Sequence, residues 1–87
     1  MDITDIKIRK TITQGRLRAI VSITLDDTLA VHDIKIVRGD ERLFVAMPSR
    51  KSSDGSYIDI AHPLNQETRS RIQKLILEAY EKLVEEE

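Results

Sequence analysis

At 87 residues the chain suffices for one domain, yet it is short enough that a single core is a marginal source of stability and a partner subunit would help. It has no cysteine, which excludes a disulfide framework and a thiolate metal site and suits a reducing cytoplasm; no apolar stretch reaches membrane-spanning length, and the first residues lack the pattern of a cleaved secretory signal. A formal charge of −1 argues against a strongly basic nucleic-acid binder, although thirteen of the fourteen Lys and Arg lie at or before Lys74 against ten of the fifteen acids, which leaves a mildly basic body and an acidic tail of Glu78, Glu81, Glu85, Glu86 and Glu87.

In chain order, Ile6, Ile8 and Ile12 share one parity while Lys7, Arg9 and Thr11 take the other, so residues 2–12 read as a strand with one wet face. A short turn at Thr13, Gln14, Gly15 and Arg16 follows. Beyond it Leu17, Ala19, Val21, Ile23 and Leu25 alternate with Arg18, Ile20, Ser22 and Thr24, the pattern of a hairpin partner with a defined core face. Asp26, Asp27 and Thr28 break the alternation as a turn, and a third strand is expected over residues 30–37. Its phase places His32 with Ile34 and Ile36, and Val31 with Lys35 and Val37, with a bulge near His32 and Asp33 as the way to mend the irregularity.

After a turn at residues 38–41, every side chain from Leu43 to Met47 is apolar, as expected of a central strand covered on both faces. Pro48 stops it. Ser49 to Ser56 reads as a polar loop in which Asp54 and Gly55 take the positive φ angles of a tight turn, and Tyr57 to Ile60 forms a short last strand ended before Pro63. Asn65 is a suitable N-cap for a helix over about residues 65–85, with Glu67 in its first turn. Ile72, Leu75, Ile76, Ala79 and Leu83 form one apolar stripe, and Glu67 with Arg71 and Glu78 with Lys82 are oriented as i,i+4 ion pairs. Burying four large side chains of this stripe contributes about 6 to 12 kcal/mol before conformational entropy is subtracted, so the helix should dock on the sheet. The expectation is one α+β domain over residues 1–87: a single, largely antiparallel sheet of about five strands within residues 2–61 and one C-terminal helix. One helix covers one face, so a second copy is expected to cover what remains, the alternative being a monomer whose long loop folds back over it.

The residues that would display function are Arg50 and Lys51, two neighbouring cations beside Ser49, Ser52 and Ser53, which together offer charge and directed donors to phosphate oxygens. Arg69, Arg71 and Lys74 on the early helix could extend a basic strip; the bland alternative for all of them is a solvated surface. His32 and Asp33 would need further ligands to hold a metal, and the chain has only one other histidine, so no metal or cofactor is expected. His62 before Pro63 reads as a corner residue held by Asp59 or by backbone. Neither a nucleophile elbow nor a glycine-rich phosphate cradle is present, so an enzyme with a small-molecule substrate is not expected. With one Phe, placed in the central strand, and two Tyr, base stacking should be minor beside backbone contacts.

Leu-Phe-Val-Ala-Met-Pro-Ser-Arg-Lys at 43–51, the Asp54 and Gly55 pair, and Asp-Ile-Ala-His-Pro at 59–63 resemble the signature of the SpoVG family, the stage V sporulation and septation regulators of bacteria. Residues 18–26 and 31–39 resemble it too, so the likeness spans nearly the whole chain. It implies a homodimeric, cytoplasmic regulator that binds nucleic acid, DNA or RNA, and acts on septation, sporulation and gene expression; the reliance on backbone contacts predicts weak sequence discrimination. Ser56 and Ile58 stand where the family usually has an acidic and a basic residue, which implies one phosphate contact fewer. The rival reading is a protein-interaction module of the division machinery that binds no nucleic acid.

Overall fold

A computed structural model of the protein describes residues 2–86, the side chain of Glu86 excepted; of the acidic tail, that side chain and Glu87 therefore lie outside the described residues. Six strands and one helix follow in the order β1 (Ile3–Thr11), β2 (Leu17–Leu25), β3 (Leu29–Arg38), β4 (Leu43–Ala46), β5 (Ser49–Lys51), β6 (Tyr57–Asp59) and α1 (Gln66–Glu86). β1 to β4 make an antiparallel meander in spatial order β1-β2-β3-β4, while β5 and β6 form a separate two-stranded ribbon. The expected class therefore holds, with the strands divided between two sheets.

The turns follow from local chemistry. Asp26 and Asp27 both adopt positive φ, 51° and 55°, and Thr28 N donates to the Leu25 carbonyl at 2.9 Å. Two left-handed residues inside an i to i+3 bond define the mirror-image turn whose twist matches a hairpin, and Asp tolerates that conformation better than most residues. The expected bulge is also present: the ladder skips between Ile23 opposite Val31 and Val21 opposite Ile34, and Asp33 takes φ 61°. Its effect on facing differs from the simple parity. The extra residue turns His32 away from Ile34 and Ile36, onto the other face, where its Nδ1 lies 2.8 Å from Ser22 Oγ. Val31, opposite Ile23, joins the core side instead.

Ala19, Val21, Ile23 and Leu25 of β2, Ile34 and Ile36 of β3 and Val45 of β4 are buried under Ile72, Ile76 and Tyr80 of α1, with Ile6 and Ile8 of β1 packed at the margin. Tyr80 lies outside the stripe read from the sequence, because the helix rolls so that Leu75, Ala79 and Leu83 are only half-buried. Asn65 caps α1 as expected, its Oδ1 accepting from Thr68 N at 2.8 Å.

Two expectations are corrected. The segment at Leu43 is the edge of the sheet and not its centre: β4 pairs with β3 alone, and Phe44 is 43% exposed. The central position falls to β2 and β3, whose ladders are longer and whose alternating side chains supply most of the core. The i,i+4 ion pairs do not form either. Arg71 Nη2 instead pairs with Asp2 Oδ1 at 3.1 Å, and no ion pair joins Glu78 to Lys82 among the described residues. Asp2 precedes β1, and its backbone is tied to Asp26 by hydrogen bonds at both N and O; a short side chain on an anchored backbone loses less freedom on pairing than two long side chains on one exposed helical face.

Candidate nucleic-acid interface

Arg50 and Lys51 lie in β5 and not in a loop. Ser49 faces Asp59, Arg50 faces Ile58 and Lys51 faces Tyr57 across the ribbon. Neighbours along a strand project to opposite faces, so the two cations cannot close on one phosphate; they flank the ribbon, one on each side. Both are exposed, and neither has a carboxylate within ion-pair distance among the described residues. Tyr57 and Ile58, opposite them, are 72% and 47% exposed, so the ribbon stands clear of the core.

The tip of the ribbon is closed by its own residues. Gly55 takes φ 89° but Asp54, expected to share the positive φ, does not, and Ser52 N donates to the Ser56 carbonyl at 2.8 Å. Asp54 Oδ1 accepts from Ser52 Oγ, from Ser56 Oγ at 2.6 Å and from Ser56 N at 3.0 Å. Those donors hold the Asp54 carboxyl well below the usual carboxylate range, the Ser52 and Ser56 hydroxyls contributing most. The Ser52 hydroxyl is thus engaged within the loop, and of the expected phosphate donors beside the cations Ser49, half-buried at the start of β5, and the exposed Ser53 are left. Ser56, where the resemblance leads one to expect an acid, serves the turn.

The three helical candidates do not gather with the ribbon. Arg69 is half-buried, Arg71 is held toward β1 by Asp2, and Lys74 is exposed; no hydrogen bond or ion pair links α1 to the ribbon among the described residues. Two residues apart on a helix, Arg69 and Arg71 occupy different faces, while Arg71 and Lys74 are neighbours. His62 Nδ1 lies 3.1 Å from the Pro63 carbonyl oxygen, which suits the corner role read for it.

A second cationic surface was not singled out from the sequence, although the parity of the strands contains it. On the face of the sheet opposite α1, Lys10, Ile20, Lys35 and Ala46 form one cross-strand row, and Leu17, Val37 and Phe44 form the next. Lys7 faces Ser22, and Arg9 Nε donates to Ser22 Oγ at 3.3 Å. Among the described residues none of these cations has an acidic partner within ion-pair distance. The bulges that bring Leu17 and His32 to this face are what a simple alternation conceals.

Between the foot of the ribbon and α1 lies an apolar cleft of about 380 Å³, lined by Leu25, Leu29, Val31, Met47, Leu64 and Ile72 among others. His62 is its sole titratable wall residue, and Leu29 and Leu64 are 54% and 91% exposed. Among the described residues no cluster of three His, Asp or Glu could hold a metal ion, and no helix is long and apolar enough to cross a membrane.

The fold and these surfaces define a small α+β protein with a projecting cationic ribbon. The SpoVG family model matches residues 1–82, and the chain belongs to that family. It is 61% identical to a protein of Lachnospira eligens over 94% of this chain and 93% of the relative, and 56% identical to one of Agathobacter rectalis over 98% of each. A relative from Clostridium beijerinckii is 56% identical over 100% of this chain and 96% of its own length. All three carry the name "Putative septation protein SpoVG".

Proposed function

We propose that this septation-related protein is a homodimeric, cytoplasmic regulator that binds nucleic acid through the phosphate backbone. The observation that carries the reading is the β5–β6 ribbon, which projects Arg50 and Lys51 on opposite sides with no carboxylate partner among the described residues. A two-stranded ribbon is narrow enough for a major groove, and a cation on each side suits the phosphates along its two walls. Arg69, Arg71 and Lys74 are secondary contacts in this reading. The apolar cleft supports the homodimer: it carries little charge, and a second copy offers the exposed Leu29, Ile60 and Leu64 as matching apolar surface.

Backbone binding of this kind is strongly dependent on salt. If two ribbons neutralise about four phosphates, log K against log salt on B-DNA has a slope of about −3.6. Replacing both Arg50 and Lys51 by Ala should flatten that slope and leave the unfolding temperature unchanged, measured by fluorescence anisotropy and by calorimetry. A slope that does not move removes the ribbon from the interface. An absence of saturable binding to DNA or RNA even at low ionic strength favours the protein-interaction module instead.

A further inference from the structure

We infer that the open face of the four-stranded sheet is a binding surface for a single-stranded nucleic acid, with Phe44 stacking a base and Lys10, Lys35 and Arg9 meeting the phosphates. The inference rests on the nucleic-acid reading above and adds a second contact surface and a preferred strand state. Phe44 stands on edge strand β4, 43% exposed, and one edge of its ring is seated over Gly39: a Cβ built there would meet ring carbons at 3.4 Å. The ring is therefore held in place with part of its surface open to a ligand. Bases stack on such platforms because every base has a π-face, and an intact duplex hides those faces.

The cations are arranged to follow the strand. Lys10 and Lys35 flank Ile20 in one cross-strand row, and Lys35 is one row from Phe44. From β1 to β4 the sheet is roughly 14 Å wide at the usual strand spacing, room for two or three stacked or splayed nucleotides. Arg9 is oriented in advance, because Nε donates to Ser22 Oγ, itself 2.8 Å from His32 Nδ1, and its terminal guanidinium nitrogens are left for an anion. Charge also decides against the obvious rival, a second copy of this chain. Self-docking through this face would bring Lys7, Arg9, Lys10 and Lys35 toward the same set on a partner, with Asp5 the acid on their side of β1.

The test uses the full chain and a labelled mixed-sequence strand of twelve nucleotides, free and annealed to its complement, followed by anisotropy at several salt concentrations. The unaltered protein is expected to bind the free strand more tightly than the duplex. Phe44→Ala should weaken strand binding by about 5- to 150-fold and duplex binding by less than about twofold, with Phe44→Trp restoring it. Lys10→Ala with Lys35→Ala should flatten the single-strand salt slope by about 1.4. Phe44→Leu serves if Phe44→Ala does not fold, since it keeps apolar contact over Gly39 and removes the π-face. Single-strand affinity unaffected by the Phe44 and Lys substitutions but lost on changing Arg50 and Lys51 overturns this inference and leaves the ribbon reading standing. No binding to any nucleic acid overturns both. A Phe44→Ala protein that sediments as a monomer where the unaltered protein is a dimer makes the face a self-interface, and overturns it too.

Discussion

The two faces of the β1 to β4 sheet come from the same residues in alternation, yet they end in opposite conditions. Beneath α1, Ala19, Val21, Ile34 and Ile36 are fully buried, and the charged groups stay at the rim. On the other face Ile20, Val37 and Phe44 are no less apolar, but no element among the described residues covers them, and Lys10 and Lys35 stand in the row of Ile20. The difference teaches that hydrophobic alternation marks which positions want cover. Whether cover comes from the same chain depends on how many later elements fold back onto the sheet, and here, among the described residues, the ribbon stands clear while α1 alone supplies buried side chains to the core.

That contrast can be broken most directly at neighbouring residues of β3. Ile36→Ala empties a fully buried site and is expected to cost about 2 to 5 kcal/mol in urea unfolding. Val37→Ala, one residue along and facing the other way, is expected to cost about 1 kcal/mol or less, since its side chain is only half-buried. Equal costs would mean that the open face is covered in solution and that this contrast between faces is mistaken.

A middle-sized effect tests how the helix is held over the covered face. Asn65→Ala removes the side-chain acceptor for Thr68 N and is expected to cost about 1 kcal/mol, with Asn65→Asp or Asn65→Ser recovering most of it. Thermal unfolding followed by far-ultraviolet circular dichroism reads the loss. No change would show that docking of Ile72, Ile76 and Tyr80 fixes the start of α1 without its cap.

Much of this was legible in the residues. The alternation in β1 and β2, the turn at Asp26 and Asp27, the bulge at Asp33, the Asn65 cap and the Gly55 turn each come from local chemistry that one sequence displays. Strand order is a long-range property, and an apolar run such as residues 43–47 fits an edge facing an absent neighbour as well as it fits a centre. Hence the apolar run alone places Phe44 in the core. Arg50 and Lys51 were legible as exposed cations, but their projection to opposite sides needed the pairing of Ser49 with Asp59, three residues against three across a turn. The Arg9, Ser22 and His32 cluster was hidden for a related reason: irregular register brings these residues together, and period-two reading assumes there is none.

The smallest effect concerns the ribbon tip, where the cationic strand ends in a carboxylate. Asp54 accepts from Ser52 and Ser56, so its folded pKa lies below the unfolded value near 3.9. A group depressed in this way supports the folded turn fully above the unfolded value, and that support is lost as pH falls through the folded one. At the pH where an ordinary carboxylate is half-protonated, Asp54 therefore keeps its charge, and the midpoint of its carboxyl carbon shift by NMR should fall below 3.9. A midpoint at the ordinary value would mean that the serine hydrogen bonds do not persist. Asp54→Asn retains an acceptor oxygen for the turn while removing a negative charge close to Arg50 and Lys51 in the chain. It should tighten nucleic-acid binding by about two- to threefold at low salt and by nothing measurable near 1 M, where the screening length shrinks to about 3 Å. If affinity rises equally at both salt concentrations, Asp54 acts through the shape of the tip and its charge does not oppose the ligand.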